Sequence, residues 1–179
     1  MSQLFKPNYQ LPTNLWPSLI STIQNSKKPD IIKRRDQAIL EILYGSGLKV
    51  SELIQLQTNH IISNGNNHYI RLRPRTVPLT HQATYAIKKY LKLRNNDSTT
   101  LFIRQDNASG NKHQSLTARS VERMVEYYCK LAKINIKITP SDWRHIFAQK
   151  LLNQGISITE LQKILGHSNL TTTKLLYKN

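Results

Sequence analysis

Residues 138–155, ITPSDWRHIFAQKLLNQG, carry both ends of a helix in their own sequence. Thr139 suits the N-cap and Pro140 the first turn, Asp142 closes a capping box with Thr139, and Gly155 stands where a left-handed residue follows the last turn. A segment so punctuated has few alternatives to a helix, and similar signals recur along the chain. In DIIKRRDQAILEILYGSG (30–47), Ala38, Ile39, Ile42 and Leu43 recur at helical spacing, with Gly45 and Gly47 as the stop. VSELIQL (50–56) starts a second helix, with Ser51 as its expected cap. Helices are also expected at 15–24, 81–94, 118–133 and 158–165, the last capped by Ser157-x-x-Glu160 and stopped by Gly166. A short final helix holds Tyr177. YIRLRPRTVPLT (69–80) alternates and follows an Asn64-Gly65-Asn66 turn, which predicts a sheet of two or three short strands. LFIR (101–104) is a further short strand or an extended link, and QDNASGNKHQS (105–115) is a loop. The expected fold class is α+β, mostly helical, with a small antiparallel β-sheet.

The helix at 138–155 also poses an electrostatic question. Arg144 and His145 sit close to its positive end, where a carboxylate is more comfortable. An anion from outside would answer it. The whole chain points the same way: 26 Lys and Arg against 10 Asp and Glu give a formal charge of +16. Such an excess repels itself unless a polyanion is near. The basic residues are spread through many elements, which favours a folded nucleic-acid-binding surface over a basic tail. A membrane surface is the weaker rival, because no helix sets a long Trp/Phe/Leu face opposite a Lys/Arg face. No run is long enough to span a bilayer and no signal peptide is visible, so a cytoplasmic protein is expected. Cys129 is the single cysteine and reads as core. The histidines lack metal-site spacing, so neither a metal nor any other cofactor is expected.

Three segments together resemble the tyrosine recombinases, or phage integrase family. LYGSGLKVSELIQL (43–56) resembles the family's first arginine motif, TPSDWRH (139–145) its His-x-x-Arg motif, and LGHSNLTTTKLLY (165–177) its Leu-Gly-His box with the nucleophilic tyrosine. Order and intervals fit, with a β-hairpin between the first two. The resemblance runs from about Asp30 to the C-terminus and implies the catalytic-domain fold. It also implies a reaction: a tyrosine oxygen attacks a DNA phosphodiester, releases a 5′-hydroxyl and leaves a 3′-phosphotyrosine. Fixed cations stabilise the pentacovalent phosphate, so no metal is needed. Arginine suits the task because its planar fork reaches two phosphate oxygens.

By that resemblance Arg144 is the second arginine, His167 the phosphate hydrogen-bond donor and Tyr177 the nucleophile. Tyr177 is the only tyrosine in the last fifty residues. His145, about 100° round the helix from Arg144, reads as packing or capping. Trp143 takes a position usually held by leucine and reads as core. The departures are equally specific. Lys49 stands for the first arginine and brings charge without the fork. Ser141 stands for the first histidine and is not a useful base. The hairpin carries Arg71, Arg73 and Arg75 where the family has a lysine that protonates the leaving oxygen. Arginine is a poor acid, which leaves these three as candidate phosphate contacts. The interval from His167 to Tyr177 is one residue longer than usual, and the loop SNLTTT is expected to absorb it.

Residues 1–29 read as an arm with a short helix and 30–179 as the catalytic domain, without the separate N-terminal clamp domain of most members. A fragment of a longer recombinase is the alternative. The expected partner is double-stranded or locally melted DNA, met by a protein monomeric in solution that is able to assemble on DNA. Three functions stay open: integration or excision of a mobile element, nicking by a plasmid mobilisation relaxase, and DNA binding without catalysis as a regulator or accessory factor.

Overall fold

The computed structural model describes residues 14–105 and 114–177. Most of the expected arm (1–13) and of the 105–115 loop therefore lies outside the described residues. Eight α-helices and a three-stranded sheet make up the rest.

Helix α1 (Leu15–Asn25) buries Leu15, Leu19 and Ile23, one face at four-residue spacing. Helix α2 (Asp30–Ser46) is the central element. It buries almost every residue from Asp36 to Leu43, because α1, α4 (His81–Leu93) and α6 (Pro140–Asn153) all pack on it. Gly47, at φ +62°, ends it. Gly45 does not: it lies inside the helix, and a Cβ there would stand 2.9 Å from the Thr80 side chain. The glycine permits a close approach rather than a stop.

Helix α3 (Val50–Ile54) is short, and its N-cap is Lys49 rather than Ser51. The reason is Glu52, whose carboxylate reaches back to accept the Lys49 backbone N–H at 2.8 Å and so satisfies a donor that the helix leaves unpaired. After a 3-10 turn at Thr58–His60, strands β1 (Ile61–Asn64), β2 (Asn67–Arg71) and β3 (Thr76–Leu79) form an antiparallel meander in the order β1-β2-β3. Ile70 pairs with Ile61 on one side and Val77 on the other, and Ile70 and Val77 are buried. The 101–104 segment is an extended link, held by isolated bridges Gln57–Thr100 and Ile103–Ser115.

Helix α5 (Ala118–Leu131) buries Cys129 and Tyr128. Trp143 on α6 is fully buried, edge-on to both Trp16 and Tyr44, which stack on each other at 4.1 Å. This trio ties α6, α2 and α1 into the main core. A second, smaller cluster joins Phe147 and Ala148 of α6, Leu161 and Leu165 of α7 (Ile158–Leu165), and Tyr177 of α8 (Leu170–Tyr177). Helix α8 begins at Leu170, so the expected SNLTTT loop is helical over most of its length. Only Ser168 and Asn169 of it lie before the helix, and Tyr177 is buried nonetheless.

Candidate active site

The local structure at Arg144 follows the sequence closely. Thr139 caps α6, with its N–H and hydroxyl both donating to Asp142 at 2.7 Å. At the other end Gly155 (φ +86°) carries a Schellman turn, in which Ile156 N–H reaches Leu151 O and Gly155 N–H reaches Leu152 O.

The Arg144 guanidinium is buried, and Nη1 donates to Gly47 O at 2.5 Å while Nη2 donates to Leu165 O at 2.6 Å. Both carbonyls lie at helix C-termini, those of α2 and α7, where the helix dipole is negative. The cation near the start of α6 is thus answered by the ends of two other helices. Carbonyls solvate it without neutralising it, and among the described residues the carboxylate whose charge acts on it, Glu52, is itself engaged by Arg75. Burial pulls its pKa below the ordinary arginine value, opposed by the Glu52 carboxylate, reinforced by Arg75 and opposed again by Tyr177.

Arg75 was expected as a phosphate contact. Its fork is engaged by Glu52, with Nη1 to Oε1 at 2.8 Å and Nη2 to Oε2 at 2.9 Å. Burial raises the Glu52 pKa, but the bonds from Arg75 and from the Lys49 backbone, with the charges of Arg75 and Arg144, bring it below the usual value. The Arg75 side chain lies over Gly166, where a Cβ would meet the guanidinium. Gly166 (φ +66°) therefore does two jobs, as helix stop and as floor for Arg75.

His167 follows at once. Its Nδ1 lies 2.8 Å from the Thr173 hydroxyl, and its backbone N–H completes the turn by bonding Gln162 O. Burial lowers its pKa, and Arg144, Lys49, Arg75 and His145 lower it further. The Tyr177 ring lies 5.2 Å from that of His145, centroid to centroid. Burial pushes the Tyr177 phenol up to about 12, against the pull of Arg144. Burial also lowers the His145 pKa, with Asp142 opposing and Arg144 adding to the effect.

The structure thus brings Arg144, His167 and Tyr177 together, with Lys49 close enough for its charge to reach His167. Ser141, exposed in the first turn of α6, and Arg71 and Arg73, exposed around the β2–β3 turn, stand outside this contact network of the described residues. Three participants escape a reading of the sequence as roles in the site: Glu52, Thr173, and His145 as the neighbour of Tyr177. Glu52 was within reach, because a glutamate three residues after a cap position is a capping signature. Among the described residues no cluster of His, Cys, Asp or Glu could hold a metal ion, and no helix is long and apolar enough to cross a membrane.

A second basic feature lies at the start of α5. A cavity of about 590 Å³ is lined by Lys28, Arg35, Arg104, Arg119 and Arg123, with Gln105, Thr117 and Ser120. The fully buried Asp36 anchors one side of it, accepting from Arg35 Nη2 at 2.8 Å and from the Tyr128 hydroxyl at 3.0 Å.

A mostly helical domain with a three-stranded meander, a buried arginine held between helix ends, and a histidine and a tyrosine beside it together define a tyrosine-recombinase catalytic domain. The chain belongs to the phage integrase family, which it matches over residues 11–179. It is 34% identical over 177 residues to tyrosine recombinase XerA of Pyrococcus furiosus, covering 94% of this chain and 59% of that protein. Its fold is similar to the crystal structure of XerA recombinase, with a TM-score of 0.77 and 26% identity over 97% of this chain and 62% of that one. The Tn1549 transposon integrase in complex with circular intermediate DNA is similar at a TM-score of 0.70 and 25% identity, again over 97% and 62%. The chain thus spans about three fifths of the length of these relatives.

Proposed function

We propose that this domain cleaves and rejoins DNA through a covalent tyrosyl intermediate. The Tyr177 oxygen attacks a backbone phosphorus, the 5′-oxygen leaves and takes up a proton, and the DNA stays attached through a 3′-phosphotyrosine. The reverse attack by a 5′-hydroxyl reseals the strand without ATP. The observation that carries this reading is Arg144: a buried guanidinium, fixed by Gly47 O and Leu165 O and in no ion pair among the described residues, whose charge acts on Tyr177 of the same chain. Arg144 and His167 hold the non-bridging oxygens, and Lys49 adds charge where a fork is missing. Charge neutralisation by these side chains needs no metal ion. Arg71 and Arg73, exposed around the β2–β3 turn, contact backbone phosphates and offset the charge of the leaving oxygen, and Ser141 is a neutral hydrogen-bond donor one turn before Arg144. The partner is duplex or locally melted DNA, as the DNA-bound transposon integrase supports.

Covalent capture tests it. Suicide oligonucleotides carrying sequences that flank the gene should yield a protein–DNA adduct with wild type and none with Tyr177→Phe. An adduct accompanied by strand exchange marks a recombinase or integrase, and an adduct without exchange marks a nickase of the mobilisation relaxase kind. Lys49 in place of an arginine, and a β2–β3 turn without lysine, support a second reading, a DNA-binding regulator without catalysis. Tight binding with no adduct on any native sequence would favour it.

A further inference from the structure

We propose that Thr173 is a positioning residue that fixes the tautomer of His167, and that it thereby ties this histidine to the docking of the helix that bears Tyr177. The inference rests on the reading of the site as a phosphate-binding one.

Thr173 has no exposed surface, and its hydroxyl lies 2.8 Å from His167 Nδ1. A neutral imidazole has one nitrogen that donates and one that accepts. A hydroxyl can meet either, so the surroundings decide. His167 is half-buried and within reach of the charges of Arg144, Lys49, Arg75 and His145, each of which disfavours a further positive charge on the ring. Burial and these charges together favour the neutral ring. Two arrangements remain. In one, Thr173 donates to Nδ1, the proton sits on Nε2, and Nε2 is a donor for an incoming phosphate oxygen. In the other, Nδ1–H donates to Thr173 and Nε2 turns a lone pair toward the anion. Only the first attracts a phosphate.

The second half of the proposal comes from spacing. Thr173 and Tyr177 are four residues apart on α8, on one face of that helix, and both are buried. When α8 seats on the second cluster, Tyr177 enters beside His145 and Thr173 meets His167 together. Withdrawal of α8 removes the nucleophile and releases the tautomer in one movement. Histidine and tyrosine are then armed or disarmed as a pair.

The test uses the full chain labelled with 15N, and reads the imidazole nitrogens by long-range proton–nitrogen correlation near neutral pH, with the His167 signals identified by their loss in His167→Gln. Wild type should show the Nε2–H tautomer. Thr173→Ser should keep it. Thr173→Val, equal in shape but without the hydroxyl, should lose it, and adduct yield on suicide DNA should fall about tenfold, with DNA affinity unchanged. An Nδ1–H tautomer or an imidazolium in wild type overturns the proposal, as does a Val variant that keeps Nε2–H or a Ser variant that falls as far as Val. Failure of wild type to form any adduct would overturn the proposed function, while the tautomer measurement would still decide the role of Thr173.

Discussion

A guanidinium that is to hold a phosphate should not be neutralised beforehand. Arg144 meets that condition because its two resident partners are carbonyls, whereas Arg75, close by, is already matched by a carboxylate. Arg144→Lys keeps the charge but cannot span Gly47 O, Leu165 O and a phosphate together. Adduct formation should fall about 100-fold while DNA affinity changes less than about threefold. Urea unfolding of the same variant should show a loss of about 1–3 kcal/mol for the broken buried bonds. Glu41 gives a test at the same scale but away from the site. Burial pushes its carboxyl up to about 7. Between its ordinary value and that one, the folded chain binds a proton that the unfolded chain does not, so this group's contribution to stability is lost as pH rises. Glu41→Gln should therefore raise unfolding free energy on the order of 1–3 kcal/mol at about pH 8 and hardly at all at about pH 4. His145 and His167 work in the other direction: their pKa values are depressed, so their contribution is lost as pH falls below the ordinary histidine value.

At the scale of elements, the helix ends were the most legible part of the sequence, because caps are local chemistry. Thr139, Ser157, Gly155 and Gly166 do what their positions suggest. The misreadings have two causes, a partner distant in the chain or a choice between equivalent local signals. Gly45 reads as a stop until Thr80 is placed against it, and Ser51 loses the cap because Glu52 binds Lys49. SNLTTT reads as a loop until the second cluster supplies a seat for α8. Gly47 repeats the lesson with energy attached. It adopts φ +62°, and a Cβ would come within 2.8 Å of the Phe147 ring. Gly47→Ala should cost about 2–4 kcal/mol, backbone strain plus overpacking. Gly65→Ala, at φ +58° but facing open space, should cost only about 1–2 kcal/mol. Denaturant titration of the pair separates the two contributions.

For the whole molecule, composition alone was enough to suggest a polyanion as partner, but not where on the surface it would lie. The cations around the α5 cavity come from residues 28 to 123, and no window of sequence gathers them. Arg144, His167 and Tyr177 stood out for a different reason: they sit in short motifs that resemble those of a known family. Arg119 and Arg123 measure the wider surface. If both contact phosphates, their double alanine variant should lower the slope of log affinity against log salt by about 2, without a change in unfolding midpoint. The Arg144 clamp has a further consequence at this scale. Its two anchors are Gly47 and Leu165, so the clamp exists only when segments more than a hundred residues apart have met. A nascent chain that has not yet reached Leu165 therefore cannot assemble the clamp.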